Sequence, residues 1–329
     1  MQAHHIQSRR RRGRRRNIER LQHAMASWQS YLADPILRLQ VKRKLARAQN
    51  AGDARRAFAT RLPAPRGATF TEDKLGGIGG EWVSVGGAAT GTLLYLHGGG
   101  YFACSPSTHR SITAAYATRG LKIFAADYRL APEHPFPAAV DDALAVYRAL
   151  LAGGIAPETL AIGGDSAGGG LALATLLAAK AAGLPMPACA LLFSPWTDLA
   201  GTGASLQTNR KRDAMLVSDK LTEGASAYLN GADPKNPLAS PLYGDLSRLP
   251  PLLIQVGDTE ILLDDSTRLA GAARTAGVKV DLKIWPNMPH VWQVSQVFLP
   301  EARTALDEAA AFAKAHLAPA RVALAAAPA

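Results

Sequence analysis

Apolar and polar positions follow two different periods along this chain, and the switches between them mark out its elements. Residues 92–96, 160–162 and 250–256 are short continuous apolar runs, the pattern of strands buried on both faces. Residues 278–285 alternate, as a strand does when only one face is covered. Between 18 and 49 the period lengthens: Leu21, Met25, Trp28, Leu32, Ile36 and Leu39 recur every three or four residues, a helical stripe interrupted at Pro35. Residues 170–182, 218–229 and 301–317 read as further helices, with Ser218 placed to open its helix as the N-cap. Residues 68–74 and 81–85 read as a hairpin joined by Gly76-Gly77-Ile78-Gly79-Gly80. Strands alternating with helices predict an α/β protein with a mostly parallel central sheet flanked by helices.

Three loops between these elements carry candidate chemistry. Gly164-Asp165-Ser166-Ala167-Gly168 stands between a strand pattern and a helix pattern, so the sequence reads strand, tight turn, helix. That setting lifts a serine hydroxyl above the sheet at a helix N-terminus, and Gly164 and Gly168 let the backbone pack closely through the turn. A glycine-rich turn with an incidental serine fits the same five residues. Upstream, the run 92–96 ends in His97-Gly98-Gly99-Gly100-Tyr101; three glycines in a row suit a loop whose N–H groups face a developing negative charge. Downstream, Asp258, Glu260 and Asp264 follow one strand pattern, and His290 follows another. The chain order is serine, acid, histidine, which is the α/β-hydrolase order.

Together these motifs resemble the hormone-sensitive-lipase-like family of α/β-hydrolases, the bacterial carboxylesterases of the fold-3 type. Further carriers are Tyr128-Arg129-Leu130-Ala131-Pro132-Glu133, Phe136-Pro137-Ala138-Ala139, Ser194-Pro195-Trp196-Thr197-Asp198, Ser240-Pro241-Leu242 and Pro289-His290-Val291-Trp292. The resemblance implies an α/β-hydrolase fold with a helical cap, Ser166 as nucleophile and His290 as base. It also implies that the N–H groups of Gly98, Gly99 and Ala167 form the oxyanion hole. Arg129, Glu133 and Asp141 are then scaffold. The family's acid usually begins an Asp-Pro-Leu triplet, where this chain has Glu260-Ile261-Leu262. Glu260 is the preferred acid, and Asp258 and Asp264 remain alternatives. The implied function is hydrolysis of short- to medium-chain acyl esters through an acyl-enzyme on Ser166. A lactone or amide hydrolase on the same triad, or a non-catalytic ligand-binding protein of this fold, is the alternative. In the family the cap would comprise the N-terminal helical segment at 17–66 and an insertion at about 199–236. The insertion contains a polar stretch, 208–213, read as a solvated loop.

Composition bounds the rest. With 329 residues, 48% of them hydrophobic, the chain can bury a large core, and one domain at 67–318 with its cap is expected. No apolar run approaches the roughly 18 residues of a spanning helix, and no signal-peptide core is present, so the expected compartment is the cytoplasm. Cys104 and Cys189 fall in separate elements and imply no disulfide; Cys104 reads as a packed residue and not a second nucleophile. The histidines lack ligand spacing and no glycine loop fits a phosphate motif, so no metal or organic cofactor is expected. Residues 1–66 hold 15 Arg and 2 Lys against Glu19, Asp34 and Asp53, a surplus of 14 positive charges; the whole chain is at +11, so the remainder is at −3. Arg9 to Arg12 and Arg14 to Arg16 form a self-repelling block, read as a disordered leader over 1–16. Nucleic acid or an anionic membrane are weaker readings of that block. A homodimer is compatible with the sequence, and the Ala-rich stretch 319–329 reads as a loose tail.

Overall fold

The computed structural model describes residues 26–59 and 61–318, so the leader at 1–16, the helical positions before Ala26 and the tail at 319–329 lie outside the described residues. In chain order the strands are β1 (Thr69–Leu75), β2 (Ile78–Ser84), β3 (Thr92–Leu96), β4 (Lys122–Ala126), β5 (Leu160–Asp165), β6 (Cys189–Phe193), β7 (Leu252–Gly257) and β8 (Val280–Trp285). They form one sheet in the order β1-β2-β4-β3-β5-β6-β7-β8. β1, β2 and β4 pair antiparallel; every pair from β4 through β8 is parallel. This is the mostly parallel sheet that the alternating pattern predicts. β4 and β6 are five-residue segments, apolar but for Lys122, too short for their period to distinguish strand from helix.

The helices are α1 (Trp28–Leu37), α2 (Arg43–Arg47), α3 (Ala51–Phe58), α4 (Arg110–Thr118), α5 (Ala138–Ala152), α6 (Ala167–Ala181), α7 (Ser205–Thr208), α8 (Ser218–Leu229), α9 (Leu263–Thr275) and α10 (Pro300–His316). Alternation within β3 divides the core. Leu94 and Leu96 face a cluster with Ile162, Leu192 and Ile254, covered by α5, α6 and α9 through Val146, Leu173 and Leu269. Leu93 and Tyr95 face the other cluster, with Leu191 and Leu253, covered by α4 and α10 through Ile112 and Leu306. Each such side chain contributes about 1.5–3 kcal/mol by leaving water, so both sheet faces must be covered. Among the described residues no helix is long and apolar enough to cross a membrane.

Three local expectations change. The hairpin turn is Gly76-Gly77 alone, with φ of 60° and 85°, and Ile78-Gly79-Gly80 belong to β2; a two-residue turn with both φ positive matches the twist of paired strands. Pro35 does not interrupt α1, which continues to Leu37. The chain then widens into a π turn over Arg38–Lys42. Ser218 is the first residue of α8 and not its N-cap; Val217 precedes it, and the Ser218 hydroxyl donates to the Leu206 carbonyl at 2.6 Å.

α6 crosses the end of β3 so closely that a Cβ on Gly168 would lie 2.0 Å from the Leu96 carbonyl oxygen and 2.4 Å from that of His97. Gly168→Ala should therefore cost about 3 kcal/mol or more, since backbone must move. Gly271 in α9 meets nothing within 4 Å. Gly271→Ala should stabilise by about 0.5–1 kcal/mol through helix propensity. Urea unfolding of the two variants checks this; equal effects would contradict the close crossing.

Candidate active site

The strand order turns at β3: the chain proceeds from β3 to β4 on one side, and β5 lies on the other, with Leu96 opposite Gly164. The loops leaving the carboxyl ends of β3 and β5 therefore separate and leave a crevice, the usual ligand position in an open α/β sheet. Ser166 lies at that edge with φ 53° and ψ −124°, a conformation that costs a non-glycine residue roughly 1–3 kcal/mol. Backbone bonds hold it. Its N–H donates to Phe193 at 2.8 Å, and its carbonyl accepts from Trp196 at 2.9 Å.

Asp165, one residue earlier, is buried behind the serine. It accepts from the Tyr95 hydroxyl at 2.6 Å and from the Gly98 N–H at 3.1 Å, and its other oxygen meets His109 Nε2 at 3.2 Å. Burial opposes charge on both members of the Asp165–His109 pair. Their mutual attraction outweighs it, so the carboxyl is held below its ordinary value and the imidazole above.

His290 Nδ1 meets Glu260 Oε2 at 2.6 Å, and both side chains are buried. The second Glu260 oxygen accepts from the Gly257 N–H at 2.6 Å and the Ser194 hydroxyl at 2.7 Å. Burial disfavours the imidazolium, but the Glu260 charge and hydrogen bond outweigh it and raise the pKa of His290. Asp258 points elsewhere: it accepts from the Asn287 N–H at 2.7 Å and pairs with Arg212 at 3.3 Å. Asp264, on α9, accepts from the Ser205 N–H at 2.9 Å. The structure thus brings Glu260, and neither other acid, to the histidine.

Ser166, His290, Gly99 and Gly100 line one cavity of about 130 Å³. The N–H of Gly98 is not free to hold an oxyanion, which corrects the expected oxyanion set. A buried carboxylate needs donors, and Asp165 takes the Gly98 N–H. The N–H groups of Gly99 and Gly100 have no partner among the described residues. Ala167 opens α6, so its N–H is one of the unpaired donors of a helix N-terminus. His97 supports the loop: burial pushes its pKa down to about 3, its ring stacks on Tyr128 at 4.4 Å, and Tyr128 donates to its carbonyl at 2.6 Å. Cys104 also lines the cavity, where burial pushes its thiol up to about 12, in keeping with a packed residue.

The polar stretch 208–213 is more than a solvated loop. Arg210, Lys211 and Arg212 are exposed, but Asn209 and Asp213 are buried against the turn that carries Glu260. Asn209 Nδ2 donates to the carbonyls of Asp258 at 3.1 Å and Glu260 at 2.8 Å. Asp213 accepts from the N–H of Ile261 at 2.9 Å, and from those of Met215 and Leu216, which line the cavity. The apolar walls also include Leu45, Phe58 and Leu221. Arg129 chelates Asp142 and Glu133 pairs with Arg55, outside the cavity, as scaffold residues do.

Comparison with known proteins followed the same lines. Residues 93–294 match a family described by the alpha/beta hydrolase fold. An acetyl-hydrolase of Streptomyces hygroscopicus is 47% identical over 260 residues, 79% of this chain and 86% of the relative. An esterase of Acinetobacter venetianus is 43% identical over 242 residues, 73% of this chain and 80% of the relative. Among solved structures, an esterase from the bacterial hormone-sensitive lipase family superposes with a TM-score of 0.84 at 40% identity, covering 89% of this chain and 100% of that one. EstE5 soaked with p-nitrophenyl butyrate superposes with a TM-score of 0.83 at 40% identity, covering 89% and 99%.

The geometry predicts how the acids separate. Glu260→Gln should lower kcat by roughly ten-thousand-fold, and Asp258→Asn by about tenfold at most. A base must be neutral, so kcat/KM should fall on the acid side as His290 protonates, above the ordinary imidazole value. Without the Glu260 charge and hydrogen bond, burial is opposed only by the weaker attraction of Asp213 and Asp165, and the acid limb of the residual activity of Glu260→Gln should move to lower pH. A severe defect in Asp258→Asn with a mild one in Glu260→Gln would overturn the assignment.

Proposed function

The chain belongs to the hormone-sensitive-lipase-like family of α/β-hydrolases and is a carboxylic ester hydrolase; we propose that it acts through an acyl-enzyme on Ser166. The observation that carries this reading is the opening of Ser166 and of the Glu260-bonded His290 into the same cavity. In the reading, Ser166 Oγ attacks the ester carbonyl carbon as its proton passes to His290 Nε2. The carbonyl oxygen becomes an oxyanion held by the N–H groups of Gly99, Gly100 and Ala167. Collapse expels the alcohol, which takes the proton from His290. A water molecule, giving its proton to the same nitrogen, then releases the acid and restores Ser166. Glu260 keeps Nδ1 protonated and stabilises the imidazolium.

The segment α1–α3 and the insertion at 199–236 are read as the two parts of a cap. Leu45 and Phe58 come from the first, Met215, Leu216 and Leu221 from the second, and together they wall the cavity. A small apolar chamber suits a short acyl chain. Support comes from the relative named as an acetyl-hydrolase and from EstE5, which was soaked with p-nitrophenyl butyrate.

With p-nitrophenyl esters, kcat/KM should be highest for acetate to hexanoate and fall for laurate and palmitate. Activity rising toward the long chains, or activated at an oil interface, would contradict the small chamber. Ser166→Ala should lower turnover on the order of a millionfold. Retention of about a tenth of the wild-type rate by a folded Ser166→Ala protein would remove the nucleophile assignment.

A further inference from the structure

α1 buries Ser30 and Ala33 and turns its opposite side to solvent. Trp28, Leu32 and Ile36 stand there at four-residue intervals, with Tyr31 beside them and Leu39 in the π turn beyond. Their exposures are 68% for Trp28, 62% for Tyr31, 53% for Leu32, 51% for Ile36 and 59% for Leu39. These are five of the eight large hydrophobic side chains exposed among the described residues, so the apolar exposure is a ridge and not scatter. Basic residues flank it in the chain. From Pro35 to Gly52 there is no acidic residue, and Arg43, Lys44 and Arg47 are exposed. On the N-terminal side the sequence carries Arg9 to Arg12 and Arg14 to Arg16, outside the described residues.

We propose that this ridge docks on an anionic lipid surface, with Trp28, Tyr31, Leu32, Ile36 and Leu39 entering the boundary between headgroups and acyl chains. Arg43, Lys44 and Arg47, the exposed cations after α1, meet the phosphates. A helix with an aromatic and aliphatic ridge beside clustered Lys and Arg has the chemistry of an interfacial anchor. A nucleic acid would satisfy the arginines but leave the aliphatic ridge in water. A second copy of the chain would bring another surplus of 14 positive charges in residues 1–66 against the first. An anionic bilayer answers both features at once. The inference does not depend on which residues perform catalysis.

The test uses the full chain with vesicles of phosphatidylcholine alone or mixed with phosphatidylglycerol. Co-sedimentation should be about tenfold stronger or more with phosphatidylglycerol and should weaken with salt. The Trp emission should shift to the blue on binding, and Trp28→Phe should abolish that shift. The pair Leu32→Glu and Ile36→Glu should reduce vesicle binding about tenfold or more while hydrolysis of dissolved p-nitrophenyl butyrate is unchanged, which also reports a folded protein. Replacing Arg43, Lys44 and Arg47 together by Gln should reduce binding to the phosphatidylglycerol vesicles with the same unchanged hydrolysis. Four results would each overturn the proposal: no binding to phosphatidylglycerol vesicles, binding indifferent to the paired glutamates, a dimer that those glutamates dissociate without any vesicle binding, or binding to duplex DNA alone.

Discussion

Ser166 holds a positive φ that an L-residue adopts only where its surroundings compel it, and the strands around it are arranged to supply that compulsion. The backbone of β6 and its following loop bind the serine peptide from one side through Phe193 and Trp196. Gly168 allows α6 to cross the end of β3 in direct contact from the other. Asp165 then ties the serine turn to the glycine loop, since one buried carboxylate accepts from both Tyr95 on β3 and Gly98 just beyond it. His109 Nε2 meets the other oxygen of the same carboxylate at 3.2 Å. With the Gly98 N–H committed to Asp165, the donors left for a reacting oxygen begin at Gly99. The position of the candidate oxyanion hole is thus a consequence of how a buried charge is satisfied.

Features encoded within a few residues were legible in the sequence. The strand, turn and helix around Ser166, the glycine loop, and the order of serine, acid and histidine all depend on local pattern, and the parallel sheet follows from them. Features decided by contacts between distant segments were not. Gly98 and Asp165 are 67 residues apart, and Asp213 and Ile261 are 48 apart. Nothing in a polar loop announces that two of its members will be buried under the turn carrying Glu260. A motif such as Ser194-Pro195-Trp196 can likewise be recognised without its use being visible: Ser194 donates to Glu260 and accepts from the Val291 N–H, bridging the acid loop and the histidine loop. Pro35 was misleading for the opposite reason: its local penalty does not stop the helix, which runs on to Leu37.

Besides the packing of Ala33 with Trp285 and Met288 and the bonds of Ser27 to Glu301, cations that donate to carbonyl oxygens fasten the N-terminal helices to the rest of the protein. Arg38 reaches Arg212, Lys42 reaches Arg210 and Asp213, and Arg55 reaches Phe102 and Ala131. Lys220 of α8 reaches Ala48 in return. Partly exposed polar ties of this kind are weaker than a packed apolar interface. The same helical segment carries the apolar ridge on its outer side, opposite Ser30 and Ala33. Asp213 links this fastening to the chemistry: its carbonyl accepts from Lys42, and its carboxylate holds the backbone next to Glu260.

The account stands on covalent chemistry at one oxygen atom. Incubation of the purified protein with diethyl p-nitrophenyl phosphate, followed by peptide mass spectrometry, reads it directly, because the reagent phosphorylates an activated serine and the adduct persists. The account predicts one diethylphosphoryl group per chain on Ser166, appearing in step with the loss of esterase activity and absent from Ser166→Ala. Inactivation with the group on Cys104 or another residue, or full modification of Ser166 with activity retained, would contradict it.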